Sequence, residues 1–202
     1  MKIDSTKAGL EKQIRELKAE NTRLEELVIT DELTGLKSRR AILDSLDQEI
    51  DRANRGKIKL CVVYIDVDNF KEVNTDYGHE QGDEVLRKVA EGLKNSTRKA
   101  DYLGRLSGDE FLLLVPLDPD EQEVDLKNIL QRHIEAVRKV NRSNRPEEFI
   151  AQTISLGCVI VPPETSLDEN IAEKIKDQAD QALSSSKAAG RGRFIVTHFS
   201  NT

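Results

Sequence analysis

One seven-residue segment, Lys59–Ile65, limits the possible folds more than any other part of the sequence. It reads KLCVVYI, so every residue after the lysine is apolar or aromatic, and three of them are β-branched. A run of this kind is typical of a strand buried inside a sheet. We therefore expect a globular core with Lys59–Ile65 as one of its inner strands.

The remaining elements are predicted from hydrophobic periodicity and from turn residues. Helices are predicted over residues 38–54, 81–98, 121–140 and 168–189. Strands are predicted on both sides of Leu106–Glu110, and over residues 149–161 and 193–198. Asp66–Glu80 is predicted to be a polar loop, and Gly108-Asp109 a tight hairpin turn. The order β-α-β-β-α-β followed by α-β predicts a ferredoxin-like α+β fold, with helices on one side of the sheet.

Residues 1–30 carry a heptad pattern, in which Ile3, Leu10, Leu17 and Leu24 recur every seven residues. The narrow apolar stripe and its charged flanks predict a parallel two-stranded coiled coil, and Asn21 at a core position favours that pairing. The alternative is a single amphipathic helix lying on its own domain. Asp31 and Gly35 break the pattern, which predicts a dimerisation coil over residues 1–30 and a globular domain over residues 31–202.

Composition excludes several classes of partner. Lys and Arg number 31 against 37 Asp and Glu, and the net charge of -6 argues against a nucleic-acid binder. No apolar run approaches the roughly 18 residues of a membrane span, so we expect a cytoplasmic protein without a membrane partner. Cys61 and Cys158 lie within apolar runs and are interpreted as core residues, not as disulfide partners, metal ligands or nucleophiles.

Acidic residues follow the buried strand and also occupy the predicted hairpin. Asp66 and Asp68 stand where the apolar run stops, and Asp109 and Glu110 arrive at the same edge if the hairpin is the neighbouring strand. Carboxylates gathered this closely repel one another unless a cation or protons compensate, and hard oxygen ligands suit Mg²⁺ bound together with a phosphate. Taken singly, these residues are better explained as strand-end caps and an ordinary turn, because turns are rich in Asp and Gly.

The surrounding motifs resemble the GGDEF domain of bacterial diguanylate cyclases over about residues 31–197. They are Asp66–Lys71, Asn74, Tyr77–His79, Gly82-Asp83, Ser107–Phe111 and Lys187–Arg191. The resemblance implies a nucleotidyl-cyclase palm, with helices and a mixed, largely antiparallel sheet, that acts as a dimer. It also implies a reaction in which two GTP molecules are condensed into cyclic di-GMP (c-di-GMP) with release of two pyrophosphates. The implied cofactor is Mg²⁺, with Mn²⁺ as an alternative.

The resemblance also implies a role for individual residues. The matching metal ligands are Asp66, the backbone carbonyl of Val67, and Asp109. The catalytic positions are Asp109, which deprotonates the attacking 3′-hydroxyl, together with Glu110 and Lys71. Asn74 and Asp83 match the pair that reads guanine, and His79 lies in a substrate-contacting pair. Lys187 and Arg191, four apart on one helical face, match the triphosphate clamp.

Arg98 and Asp101 match the family's RxxD inhibitory site for c-di-GMP. Ser107 departs from the pattern, because the family has glycine there. A left-handed backbone at this residue would cost about 1–2 kcal/mol. Besides the active cyclase, two alternatives stay open: a silent domain that acts as a c-di-GMP receptor through Arg98 and Asp101, and a structural dimerisation module.

Overall fold

The computed structural model describes residues 12–15, 18, 29–143, 152–163 and 170–200. In chain order the elements of the globular part are α1 (Arg39–Asn54), β1 (Lys59–Val67), α2 (Phe70–Tyr77), α3 (His79–Ser96), β2 (Tyr102–Ser107), β3 (Glu110–Leu117), α4 (Glu123–Ser143), β4 (Ile154–Val161), α5 (Ile171–Ala188) and β5 (Phe194–His198). The helices and strands predicted over these ranges are present, with their ends shifted by a few residues. The predicted starts at residues 149 and 168 lie outside the described residues.

The coiled coil predicted over residues 1–30 lies almost wholly outside the described residues. Of its heptads, residues 12–15 and Lys18 are described, and they are helical and exposed. Ile29 and Thr30 already belong to the globular part, since Ile29 O accepts a hydrogen bond from Ser38 N at 2.9 Å. The predicted pairing of two coils therefore stays a prediction.

The sheet has the strand order β2-β3-β1-β4-β5, with β1 at its centre. β1 is antiparallel to both β3 and β4, and β4 is parallel to β5. The expected mixed, largely antiparallel α+β sheet is confirmed. The inner position expected for the first strand is also confirmed, because Leu60, Val62 and Ile65 are 0% exposed.

Helices cover both faces of the sheet, so the expectation of helices on one side is wrong. Leu60 and Val62 pack in a cluster with Ile42 of α1 and Ile175 of α5. Cys61 and Val63 face the opposite way, into a second cluster that contains residues of α3 and α4. Successive side chains of a strand point to opposite faces. An apolar strand without alternation therefore requires cover on both sides.

The predicted polar loop over Asp66–Glu80 is also wrong, because it contains α2. Asn69 precedes this helix with a left-handed backbone, φ 57°, and Gly78 follows it with φ 85°. Val73 is the one buried residue of α2 and joins the core. A helix of eight residues with one buried side chain leaves too little periodicity to detect in the sequence.

Two smaller expectations concern the cysteines and the membrane. Cys61 and Cys158 are buried free thiols, as interpreted from the sequence, and burial raises the pKa of the Cys61 thiol well above its ordinary value. Within the described part of the chain, every helix is too short or too polar to cross a bilayer.

His133 on α4 is a fully buried histidine that is held neutral. Its Nδ1 lies 2.8 Å from Ile129 O, and its Nε2 lies 3.3 Å from Thr97 Oγ1. Burial, helped by the charges of Arg132 and Arg98, lowers the pKa of His133 from 6.5 to about 4.

We expect the free energy of unfolding to fall as the pH is lowered from 6.5 to about 4. In this window the unfolded chain binds a proton at His133 and the folded chain does not, so acid favours unfolding. The loss contributed by His133 is about 2 kcal/mol at about pH 5. Urea unfolding at about pH 7 and about pH 5 measures it, with His133→Gln as the comparison. Equal pH dependence in both proteins would contradict the assignment.

Candidate active site

The end of β1 meets the β2–β3 hairpin. Asp66 lies opposite Glu110 of β3 and opposite Ser155 of β4, and its exposed fraction is 9%. Val67 N donates a hydrogen bond to the backbone carbonyl of Asp109 at 3.3 Å. The structure thus brings four residues together where β1 ends and β3 begins, as the sequence pattern indicated. They are Asp66, Val67, Asp109 and Glu110.

Asp66 forms an ion pair with Lys187 of α5, with 2.8 Å between Oδ2 and Nζ. Burial raises the pKa of the Asp66 carboxyl, the Lys187 ammonium opposes that effect, and the charges of Asp109 and Asp68 add to it. This carboxylate is therefore crowded by other carboxylates and compensated by one cation. From the sequence, Lys187 was assigned to the triphosphate of the substrate, and its ion pair with Asp66 was not predicted.

The hairpin turn has the predicted form, with Ser107 paired to Glu110 across Gly108-Asp109. Gly108 has the left-handed backbone, φ 48°; among the described residues, only Asn69 and Arg191 carry a side chain at positive φ. The backbone cost considered for Ser107 therefore does not arise. Its hydroxyl instead donates to Glu110 Oε2 at 2.9 Å.

Arg105 of β2 fixes this turn and ties it to the start of the globular part. Its Nε donates to Gly108 O at 2.9 Å, and its NH1 lies 3.3 Å from both carboxylate oxygens of Asp31. Asp31 also accepts hydrogen bonds from the amide and the hydroxyl of Thr34. The sequence analysis gave Arg105 no role. Asp31 was recognised only as a break in the heptads, because a contact over 74 positions leaves no local signal.

Asn74 is brought against Gly82, the residue before Asp83, by the packing of α2 against α3. A Cβ built on Gly82 would overlap Asn74 Oδ1 and lie 3.3 Å from Phe70 Cζ. Glycine at this position therefore allows the close approach of Asn74 to the turn of α3 that carries Asp83. His79, the first residue of α3, and Lys71, in the first turn of α2, are both exposed.

Lys187 and Arg191 do not share a helical face, which corrects the sequence prediction. α5 ends at Ala188, and Arg191 lies in a loop where Gly190, Arg191 and Gly192 have φ of 113°, 56° and 60°. Gly190 lies directly before Arg191, and its left-handed backbone ends the helix before Arg191. Arg191 itself is exposed.

The sequence predicted that the carboxylate of Asp68 lies beside that of Asp66 at the edge of the sheet, and this prediction is wrong. The exposed fraction of Asp68 is 3%, and its carboxylate accepts hydrogen bonds from Thr153, Ser155 and Gly192. These donors are more than 80 positions away in the chain, so the sequence could not show that they satisfy Asp68.

Arg98 and Asp101 form a second, separate group just beyond the end of α3. Arg98 N donates to Asp101 Oδ2 at 2.9 Å, and Asp101 Oδ1 is buried with no hydrogen-bond partner among the residues that the structure describes. Burial raises the pKa of Asp101. Both residues line an open cavity of about 480 Å³, with Lys37, Lys94 and Lys99 also in its wall. The 18 residues of α3, about 27 Å of helix, separate this cavity from His79.

The residues at the end of β1 fit a hard divalent cation. Two carboxylates, Asp66 and Asp109, and the Val67 backbone supply oxygen donors. In the described ranges, no group of three or more His, Cys, Asp or Glu converges as a metal site. An ion held here would therefore take its remaining ligands from phosphate oxygens and water, as Mg²⁺ does beside nucleotides.

Comparison with known proteins places this geometry in a family. Residues 28–193 match the family described as diguanylate cyclase, GGDEF domain. The chain is 36% identical over 169 residues to diguanylate cyclase DgcP of Pseudomonas aeruginosa, covering 83% of this chain and 24% of DgcP. It is 34% identical over 193 residues to diguanylate cyclase DosC of Escherichia coli K12, covering 96% of this chain and 40% of DosC. The chain thus spans well under half the length of these relatives.

Solved structures agree on the fold. The coiled coil and GGDEF domain of DgcB from Caulobacter crescentus, in complex with c-di-GMP, has a TM-score of 0.71 at 26% identity, covering 98% of this chain and all of that one. Diguanylate cyclase SiaD of Pseudomonas aeruginosa, in complex with its activator SiaC, has a TM-score of 0.72 at 30% identity, covering 97% of this chain and 72% of that one. The family match covers most of the sequence and includes the β1 end and the hairpin, and on that ground the chain belongs to the GGDEF domain family of diguanylate cyclases.

Proposed function

We propose that this chain is a diguanylate cyclase that condenses two GTP molecules into c-di-GMP and releases two pyrophosphates. The observation that carries the proposal is the meeting of Asp66 and the Asp109 turn at the end of β1, beside the paired helices α2 and α3. In each half-reaction the 3′-oxygen of one GTP attacks the α-phosphorus of the other. The bond from that phosphorus to the β-phosphate breaks, and pyrophosphate leaves.

Asp66, Val67 and Asp109 hold the metal ion in this proposal, and Asp109 takes the proton from the attacking 3′-hydroxyl. Glu110 assists at the same edge, where Ser107 restrains its carboxylate. Mg²⁺, with Mn²⁺ as the alternative, would offset charge on the phosphates when bound. The raised pKa of Asp66 is consistent with a carboxylate crowded until a cation joins it.

Recognition of guanine is assigned to Asn74 and Asp83. A carboxylate accepts hydrogen bonds from the N1 and N2 donors of guanine, which adenine lacks, so Asp83 favours GTP over ATP. The contact between Asn74 and Gly82 supports this pairing, since it places Asn74 against the residue that precedes Asp83. His79 contributes a further contact from the start of α3.

The phosphates are assigned to cationic side chains on three segments: Lys71, Lys187 and Arg191. Lys71 offsets charge on the transferring phosphate, and Lys187 and Arg191 bind the rest of the triphosphate. In the structure Lys187 compensates Asp66. A divalent cation held there would supply that compensation and would leave the Lys187 ammonium available for the phosphates.

The product contains two guanosines, and one domain offers one Asn74-Asp83 pair. Two domains must therefore face each other across a two-fold axis. We propose that residues 1–30 hold the two chains together and so raise the local concentration of one active site at the other. No nucleic acid or membrane partner is invoked.

Incubation of the purified chain with GTP and Mg²⁺ tests the proposal. We expect pyrophosphate and c-di-GMP in a ratio of two to one, and no cyclic product from ATP under the same conditions. Release of inorganic phosphate instead of pyrophosphate, or no reaction with any divalent cation, would reject the cyclase.

A second candidate, a c-di-GMP receptor without turnover, is favoured by one observation. The Arg98 cavity collects four cationic residues and lies at the other end of α3 from His79. We propose that this cavity binds c-di-GMP and that, in the active cyclase, binding there inhibits turnover. Binding of c-di-GMP by a chain that leaves GTP unchanged would select the receptor over the cyclase.

Arg98→Ala is expected to relieve product inhibition while leaving the initial rate unchanged. A guanidinium paired with a phosphate contributes about 1.5–3 kcal/mol, so the inhibition constant for c-di-GMP should rise about tenfold or more. Initial rates measured against added c-di-GMP show the shift. Arg87→Ala, which removes an exposed arginine of α3, serves as the matched control. Unchanged inhibition in Arg98→Ala would remove this cavity from regulation.

A further inference from the structure

The loop that carries Arg191 has an unusual backbone. Gly190, Arg191 and Gly192 are consecutive residues in the left-handed region. Glycine adopts this conformation freely, but a residue with a side chain does so only where its surroundings hold it there. Some contact of this loop must therefore fix the conformation of Arg191.

Asp68 makes one such contact from the end of β1. Its Oδ2 accepts a hydrogen bond from Gly192 N at 3.0 Å, and the same oxygen accepts from Thr153 Oγ1. Its other oxygen accepts from Ser155 Oγ at 2.6 Å. Because the exposed fraction of Asp68 is 3%, water does not replace these donors.

Arg138 of α4 holds the other side of the same residue. Its NH2 donates to Gly192 O at 2.9 Å, and a Cβ built on Gly192 would lie 3.0 Å from that nitrogen. The amide of Gly192 is thus held by an anion and its carbonyl by a cation. Both contacts act on the residue directly after Arg191.

The bonds from Asp68 to Thr153 and Ser155 do not need a functional explanation. β1 and β4 are already paired along their length, with Asp66 opposite Ser155. The bond to Gly192 is different, because it reaches a loop 124 positions away that no strand pairing holds at that residue. The Arg191 side chain itself is exposed to solvent.

We propose that Asp68 is a positioning residue for GTP binding: through the Gly192 amide it fixes the backbone of Arg191, so that the guanidinium is presented to the triphosphate. This rests on the proposed function, in which Arg191 binds that group. Asp68 itself touches neither the nucleotide nor the metal ion. It acts through the loop.

The test measures nucleotide affinity by calorimetry with two probes, 3′-deoxy-GTP, which cannot react, and GMP, which lacks the β- and γ-phosphates. Asn cannot accept all three hydrogen bonds that Asp68 accepts, and its neutral amide oxygen would hold the Gly192 amide more weakly than a carboxylate does. Asp68→Asn is expected to weaken binding of 3′-deoxy-GTP about tenfold and to leave GMP binding unchanged. In steady state, the same variant should raise the KM for GTP more than it lowers kcat.

The double variant with Arg191→Ala separates positioning from other roles. If Asp68 acts through Arg191, Asp68→Asn causes no further loss of affinity once Arg191 is alanine. Ser155→Ala removes a bond from the same carboxylate without touching Gly192, and should leave both affinities unchanged. If Asp68→Asn does not fold, Arg138→Ala, at a partly exposed site, should show the same selective loss.

Two outcomes would overturn the proposal in distinguishable ways. If Arg191→Ala weakens 3′-deoxy-GTP binding but Asp68→Asn adds its full effect to it, or weakens GMP equally, Asp68 does not act through Arg191 and the proposed function stands. If Arg191→Ala leaves 3′-deoxy-GTP affinity unchanged, the triphosphate role of Arg191 fails, and the positioning role fails with it.

Discussion

Asp109→Ala is expected to lower the turnover of GTP by about a thousandfold or more, because it removes both a metal ligand and the proposed base. The backbone carbonyl of Asp109, which accepts the hydrogen bond from Val67, is kept in the variant. The turn also keeps the Arg105 contact to Gly108. The hairpin should therefore stay in place, and the loss should reflect the carboxylate alone.

The measurement is c-di-GMP formed per chain with saturating GTP and Mg²⁺. Asp120→Ala removes an exposed aspartate in the segment after β3 and is the matched control, with turnover expected to be unchanged. Melting temperatures of the two variants show that both fold. Turnover of Asp109→Ala within a few fold of the unmodified chain would refute the assignment of Asp109 as ligand and base.

Removal of residues 1–28 is expected to make turnover depend strongly on protein concentration. The loss of turnover should be about a hundredfold at nanomolar concentrations of the chain and should become smaller at micromolar concentrations. The reason is that the coil supplies an effective concentration and not a catalytic group. The cut is placed before Ile29 so that its bond to Ser38 and the pairing of Thr30 with Lys37 are kept.

Rates measured over several decades of protein concentration distinguish this effect from damage to the domain. Replacing residues 1–28 by an unrelated parallel two-stranded coil in the same heptad register should restore turnover at nanomolar chain. An equal loss at every concentration would remove the coil from the mechanism, and no loss at all would place the dimer contact elsewhere.

The sequence analysis succeeded where the signal is local. The apolar run Lys59–Ile65 predicted the central strand, because burial on both faces demands apolar residues at every position. The Gly108-Asp109 pair predicted the turn, because a left-handed backbone favours glycine. The same apolar run also requires helices on both faces of the sheet. The expectation of helices on one face was inconsistent with it.

It failed where a residue's environment comes from distant segments. α2 was missed because its core contact is one valine, and Arg191 was placed on a helix that ends at Ala188. Asp68 was grouped with Asp66 although the donors that satisfy it lie on β4 and in the loop before β5. Ser107 was considered a source of backbone strain, whereas the structure shows a hydrogen bond to Glu110.

By itself the sequence determined every described helix and strand except α2, together with the family motifs, because hydrophobic period, turn residues and motif spacing are properties of short segments. The tertiary structure decided which carboxylates remain available for chemistry. Asp66 and Asp68 are only two positions apart in the chain. Asp66 nevertheless forms an ion pair with Lys187, whereas the carboxylate of Asp68 accepts hydrogen bonds from buried donors. The reason is physical: a buried carboxylate takes its charge state and role from the donors around it, and folding brings those donors together from distant parts of the chain.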